Sequence, residues 1–218
     1  MKIGAIIPTR GDRKIFLDYA VKQIKQQTKT VDEIIIVNDA PLSPRKDITW
    51  RYKIGFKRAI EKGCNLMFFW EDDDWYDPTY VQWMYDSWVS SNRPMLFGIG
   101  ETYYYHIGID KCHHMDHPGR ASAFCTAVTP DIARFMWPRD DEPFLDLKLW
   151  RAFRGTSVKF KNKVVAVGIK HGIGLTGGGG HEKNFRFYNG PDSSKWFTET
   201  VDENSRQFYK NIIATYKK

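Results

Sequence analysis

Between residues 3 and 90 the chain switches repeatedly between two hydrophobic rhythms: short runs apolar at every position, and longer stretches whose apolar side chains recur every three or four residues. Ile3-Gly-Ala-Ile-Ile7 is a run of the first kind, bounded by Pro8, and Ile15 to Gln27 follows with Phe16, Leu17, Ala20, Val21 and Ile24 on one helical face. Glu33-Ile-Ile-Ile-Val37 is β-branched and apolar on both faces, as a strand covered on both sides of a sheet must be, and turn residues Asn38 to Ser43 close it. A helix is predicted over Asp47 to Lys62, stopped by Gly63 as a left-handed cap. Asn65-Leu-Met-Phe-Phe-Trp70 is the third buried run, and Pro78 opens a helix carrying Tyr80, Val81, Met84, Tyr85 and Trp88. Strand followed by helix, three times over, predicts right-handed crossovers and an α/β fold: a mostly parallel central sheet with helices on both faces.

The second half reads differently. Met95 to Ile109 and Ala121 to Val128 read as strands without long crossovers, and Thr129-Pro130 caps a short helix. Phe144 to Arg154 has helical spacing, with Phe144, Leu145, Leu149 and Phe153 on its apolar face, and Val164 to Ile169 is a late strand. Gly177 to Gly180 reads as a mobile loop that, with His181-Glu-Lys-Asn-Phe-Arg186 behind it, is suited to closing over a bound ligand. Ser193 to Lys218 places Val201, Phe208, Ile212 and Tyr216 near one face of a C-terminal helix.

Composition narrows the class. At 218 residues the chain suits one domain with a small extension, and 42% hydrophobic residues with 8 Trp exclude a disordered or low-complexity polymer. Cys64, Cys112 and Cys125 are odd in number and widely spaced, which argues for a reducing compartment rather than a disulfide scaffold. The first apolar run is too short for a signal peptide and no run is long enough to span a bilayer, so the expectation is a soluble, cytoplasmic protein. A net charge of +7 favours phosphorylated or polyanionic ligands without singling out nucleic acid.

The chemistry concentrates in Trp70-Glu-Asp-Asp-Asp-Trp-Tyr-Asp-Pro78, where four carboxylates follow a buried strand. In an extended segment Glu71 and Asp73 point one way, Asp72 and Asp74 the other. At an effective dielectric of about 20, two like charges about 4 Å apart cost roughly 4 kcal/mol, so carboxylates beside Phe69, Trp70 and Trp75 require a cation or must hold a proton. Mg²⁺ or Mn²⁺, with a preference for hard oxygen ligands and substrate phosphates, meets that requirement. The bland alternative is a solvated turn in which Asp74 or Asp77 caps the next helix. Pro8-Thr-Arg-Gly-Asp12 and Asn38-Asp39 follow the other two strands and face the same crevice, the usual ligand site of an open parallel sheet. A carboxylate there is suited to a ring N–H or a ribose hydroxyl, and Arg10 to a phosphate. Neither G-x-G-x-x-G nor G-x-x-x-x-G-K follows the first strand, which weakens dinucleotide and P-loop readings.

Ile6-Ile-Pro-Thr-Arg10, Asp32-Glu-Ile-Ile-Ile-Val-Asn-Asp39 and Glu71-Asp-Asp-Asp-x-x-x-Pro78, in that order and spacing, resemble the nucleotide-sugar half of family 2 glycosyltransferases with the GT-A fold. The resemblance implies a single GT-A domain over residues 1–192, with a donor half (1–92), an acceptor half (93–192) and a C-terminal helical tail (193–218). It implies that Pro8, Thr9 and Arg10 line the nucleotide pocket, that Asp39 contacts uracil or another base, and that Glu71 or Asp72 contacts the ribose. Asp73 is then the metal-binding member of the D-x-D motif, for Mn²⁺ or Mg²⁺, and a late histidine, His171 with His181 as competitor, completes the metal site. Asp146, within Asp141-Glu-Pro-Phe-Leu-Asp146, takes the position of the family's base, with Asp141 and Glu142 as alternatives. The implied activity is inverting, metal-dependent transfer of a sugar from a nucleoside diphosphate donor, a UDP-sugar, to a hydroxyl of a saccharide, lipid-linked saccharide, protein or modified DNA.

Two other classes compete. A nucleotidyltransferase also uses strand-end carboxylates and a metal, but Thr9-Arg-Gly-Asp-Arg13 is only a thin version of its phosphate loop; a non-catalytic nucleic-acid-binding module would use the positive charge. Cys112-His-His-Met-Asp-His117 with Cys125 matches no closed zinc spacing and reads as a polar loop near the acceptor or a solvated turn. Tyr103-Tyr-Tyr105 divides between core packing and stacking on a sugar or base.

Overall fold

A computed structural model of the chain describes residues 1–40, 47–160, 163–172 and 193–216. Strand β1 (Ile3–Pro8) is buried at every position and lies between β2 (Glu33–Val37) and β3 (Leu66–Phe69), parallel to both, with Ala5 beside Ile34 on one side and Phe68 on the other. Helices α1 (Lys14–Lys25) and α2 (Ile48–Glu61) make the crossovers. Gly55 lets α2 settle directly on the sheet: a Cβ there would come within 2.3 Å of Ile6 Cγ2 and 3.0 Å of Val37 Cγ2. Gly63 ends the helix at φ +76°, the left-handed cap expected of it.

After β3 the chain makes a short strand β4 (Trp75–Tyr76), helix α3 (Tyr80–Ser90), β5 (Leu96–Ile99), the hairpin β6 (Glu101–His106) and β7 (Lys111–Asp116), and β8 (Thr126–Val128). Helix α4 (Leu145–Ala152), β9 (Thr156–Val158), β10 (Ala166–Lys170), α5 (Ser193–Thr200) and α6 (Glu203–Tyr216) follow. Six strands form one sheet in the order β2-β1-β3-β8-β5-β9, in which β8 alone is reversed. The others share one direction, so the carboxyl ends of β1, β2, β3 and β5 line one edge. Four strands form a second sheet, β4-β10-β6-β7, where β10 runs parallel to β6 and antiparallel to β4. No helix among the described residues is long and apolar enough to cross a membrane, and all three cysteines are buried and form no disulfide.

The donor-side elements follow the hydrophobic pattern; several later ones do not. The stretch Met95 to Ile109 is two strands, because at Gly100 the chain leaves the first sheet for the second, and a Cβ there would lie 3.0 Å from the carbonyls of His117 and Arg120. Residues 111–116 form strand β7 rather than a polar loop: Tyr103 sits opposite His114, the rings stacked at 4.6 Å. The C-terminal stretch is two helices, broken at buried Val201 and exposed Asp202, and the Asp202 carboxylate accepts from Ser205 N–H (3.0 Å) and Trp75 Nε1–H (3.1 Å). Val201, Phe197, Tyr209 and Ile212 close a second core with Phe16, Trp75, Tyr105, Val167 and Ile169. Phe144 precedes α4 and is exposed rather than on its buried face, which Leu145 and Leu149 supply. Asp77, not Asp74, serves the start of α3, accepting from Thr79 N–H at 2.9 Å.

Candidate active site

The acidic segment must carry the chain from β3 in one sheet to β4 in the other within a few residues, so it forms a turn rather than an extended strand. The expected alternation therefore fails. Glu71, Asp73 and Asp74 each bring one oxygen into a group lying within 4.8 Å, while Asp72 turns aside to Arg13. Arg13, one residue before α1, donates Nη2–H to Asp72 Oδ1 and Nη1–H to Asp73 Oδ2, both at 2.7 Å. The ring of His171, which follows β10 directly, brings Nε2 to 2.9 Å from the same Asp73 oxygen and is itself stacked on Phe16 at 4.7 Å. Asp74 is fully buried; its Oδ1 accepts from the Ile169 N–H at 2.8 Å.

Burial and mutual repulsion set the electrostatics. Burial, with the neighbouring Asp73, pushes Glu71 and Asp72 up to about 7 and Asp74 well above the carboxylate range. Asp73 goes the other way: burial opposes its charge, but Arg13 and His171 hold it well below the usual value. Lys170 supplies a further positive charge. Burial alone would lower its pKa, yet Asp74 and Glu71 hold it above the ordinary lysine range.

These residues fit a hard divalent cation. Asp74 Oδ2 and Asp72 Oδ2 are buried without a hydrogen-bond partner, and Glu71, Asp73 and Asp74 form the one group with metal-binding spacing among the described residues. Cys112, His113 and His114 belong to no such group; His114 faces Glu101 at 2.9 Å.

Of the remaining sequence-predicted residues, Thr9 and Asp146 are electrostatic neighbours of the acidic turn. Pro8 ends β1 and Thr9 is buried beyond it. Arg10 Nε–H donates to Asp47 Oδ1 at 3.1 Å. Asp39 follows β2 in a two-pronged pair with Arg58, at 2.7 and 2.8 Å. Below it the buried guanidinium of Arg51 donates to the Val37 and Asp39 carbonyls and to Asp47, fixing the strand end. Asp146 lies in the first turn of α4, 3.7 Å from Arg120 Nη1, and is close enough to Glu71 to disfavour its ionisation; burial pushes Asp146 itself up. Asp141 is exposed and paired with Arg139, and Glu142 Oε1 accepts from Phe144 N–H at 3.1 Å. His181 and the loop Gly177 to Gly180 lie outside the described residues. Arg13, Arg51 and Lys170 had no place in the sequence-based site. Arg13 closes the same Thr9 to Arg13 segment, and Lys170 immediately precedes His171, which is the only signal either carries.

No family model and no curated protein matches the chain by sequence. Solved structures do match. TarS of S. aureus has a TM-score of 0.53 at 10% identity over 78% of this chain. A 1–349 form of TarS in complex with UDP-GlcNAc gives 0.53 at 10% identity over 99% of the chain, and the same form with UDP 0.51 at 11% over 78%. The chain spans 37% of TarS and 66% of the 1–349 form bound to UDP-GlcNAc. The likeness shows the fold, a GT-A-like glycosyltransferase fold.

Proposed function

We propose that the chain is a metal-dependent glycosyltransferase that moves a sugar from a nucleoside diphosphate donor, a UDP-sugar, to a hydroxyl acceptor with inversion. The observation that carries this reading is the convergence of Glu71, Asp73 and Asp74 at the carboxyl edge of a sheet whose fold, in TarS, is solved with UDP and UDP-GlcNAc.

Residues 1–92 hold the donor: Pro8, Thr9 and Arg10 border the nucleotide, Asp39 the base, and Glu71 or Asp72 the ribose. Glu71, Asp73 and Asp74 would hold Mn²⁺ or Mg²⁺, with His171 beside Asp73, and a bound ion would supply neutralisation of the charge on the departing diphosphate. Residues 93–192 present the acceptor. Asp146 takes the proton of the acceptor hydroxyl while that oxygen forms its bond to the anomeric carbon, and the bond from that carbon to the diphosphate oxygen breaks on the opposite face. Arg13 bridges Asp72 and Asp73, and its charge keeps Asp73 ionised within the cluster.

Thermal unfolding with a panel of nucleotide-sugars tests the reading. UDP or a UDP-sugar with Mn²⁺, at about a hundred times its Kd, should stabilise the fold by about 2.7 kcal/mol, and EDTA or Asp73→Asn should remove the effect. Absence of stabilisation by every nucleotide-sugar, with and without metal, would overturn it.

A further inference from the structure

Lys170 is the last residue of β10, and its side chain leaves the strand on the face opposite the second core, where Val167 and Ile169 point. On that face β10 packs against β6 so closely that a Cβ at Gly168 would lie 2.4 Å from the Tyr104 ring. The Lys170 stem is thereby led across Tyr104, with Nζ 4.9 Å from the ring centroid. The Tyr104 hydroxyl is 2.9 Å from Ser122 Oγ, which fixes this wall of the crevice from the acceptor half. His171, the next residue, faces the cluster from the other side through Asp73.

Lys170 is half-buried, and among the described residues its ammonium makes no hydrogen bond and no ion pair within 4.0 Å, in contrast to Arg13, which spends both terminal nitrogens on Asp72 and Asp73. An ammonium carries three donors, and beside the Tyr104 ring they remain available to an anionic ligand. The carboxylates of Glu71, Asp73 and Asp74 are near enough to attract its charge toward the point where an anion would share their cation. We propose that Lys170 is a diphosphate-contacting residue: its ammonium donates to phosphoryl oxygens of the bound nucleoside diphosphate and stabilises the negative charge that grows there as the sugar departs. The inference rests on the nucleotide-sugar reading above and adds to it a cation supplied by the chain itself, from the acceptor-half side of the crevice.

Binding of UDP and of uridine, which lacks the diphosphate, to the wild-type chain and to Lys170→Met in the presence of Mn²⁺ separates the possibilities, with calorimetry for UDP and ligand-observed NMR for uridine. The expected result is a roughly 10- to 100-fold loss of UDP affinity with uridine affinity unchanged, and recovery of most UDP affinity in Lys170→Arg. Equal weakening of UDP and uridine would mark Lys170 as merely structural and overturn the proposal, as would unchanged UDP affinity. If Lys170→Met loses its cooperative thermal transition, Lys170→Gln is read against the same criteria. A wild-type chain that binds UDP beside a variant that binds it equally well sinks only the lysine assignment; a wild-type chain that binds neither UDP nor any UDP-sugar sinks the donor reading with it.

Discussion

At Asp146, the proposed base, burial and the proposed role pull against each other at a single side chain. Burial pushes its pKa up, and Arg120 at 3.7 Å offsets only part of that, so the folded chain holds the Asp146 proton more tightly than the unfolded chain does. The sign follows: its contribution to stability is present at low pH and is lost as pH rises through the raised value, leaving the ionised group a burden at neutral pH. Asp146→Asn should therefore leave the fold at least as stable as wild type at pH 7 while lowering kcat by roughly 10²- to 10⁴-fold, as expected for a lost general base. The acid limb of the wild-type rate profile should lie above the ordinary Asp value of about 3.9, since activity requires the ionised form. An Asn variant with near-normal kcat would remove Asp146 from the mechanism. Asp73, Asp146 and His171 could be picked out in the sequence because each combines a titratable group with a strand end or helix start. Arg13 and Lys170 could not, since their value depends on a tight turn between two sheets, and no periodicity records where such a turn aims its carboxylates. The same turn is why the in-and-out alternation of residues 71–74 fails and Asp74 joins Glu71 and Asp73.

At the scale of elements, the C-terminal helices are part of the core rather than an appendage. Phe197 on α5 stacks on Tyr105 with centroids 3.7 Å apart, and α6 brings Tyr209 and Ile212 against Phe16, the residue on which His171 rests. Phe197→Ala should cost roughly 3–5 kcal/mol, read as a lower urea midpoint at unchanged slope. A loss below about 1 kcal/mol would mean that α5 is not docked as described. Val201, Phe208 and Ile212 do share one packed side, as their spacing predicts, but Val201 lies in the break before α6, because Asp202 ends the run to cap that helix and hold Trp75. Apart from β4, the elements from β1 to α3 were legible, since β1 and β3 are buried at every position, β2 is apolar from Ile34 to Val37, and each helix has a single apolar stripe. The hairpin β6–β7 and the edge strand β9 were not: Lys111 to Asp116 and Thr156 to Val158 are half-exposed and polar, and they become strands through a neighbouring strand rather than through their own hydrophobicity.

Across the whole molecule, the two halves complete one another's chemistry and one another's sheets. β3, buried at every position, takes Met67 and Phe68 to Val128 and Ala127 of β8, and β4 exists only against Ala166 and Val167 of β10. The carboxylates come from residues 71–74, but the Ile169 N–H that meets Asp74, the ammonium of Lys170 and the imidazole of His171 come from beyond residue 92. A fragment of residues 1–92 would thus keep the parallel strands and the acidic turn while leaving β3 as a long apolar edge and Asp74 without its backbone donor. Free apolar edges pair with other chains, and a buried carboxylate without a partner destabilises the fold around it. Expressed alone, the fragment should elute as aggregate in size-exclusion chromatography and show no melting transition that UDP with Mn²⁺ displaces; co-expression with residues 93–218 should recover a soluble complex that does. A monomeric, cooperatively melting 1–92 fragment that binds UDP would instead mean that the donor half holds its site unaided, and that the late strand and its Lys170-His171 pair serve the acceptor side alone.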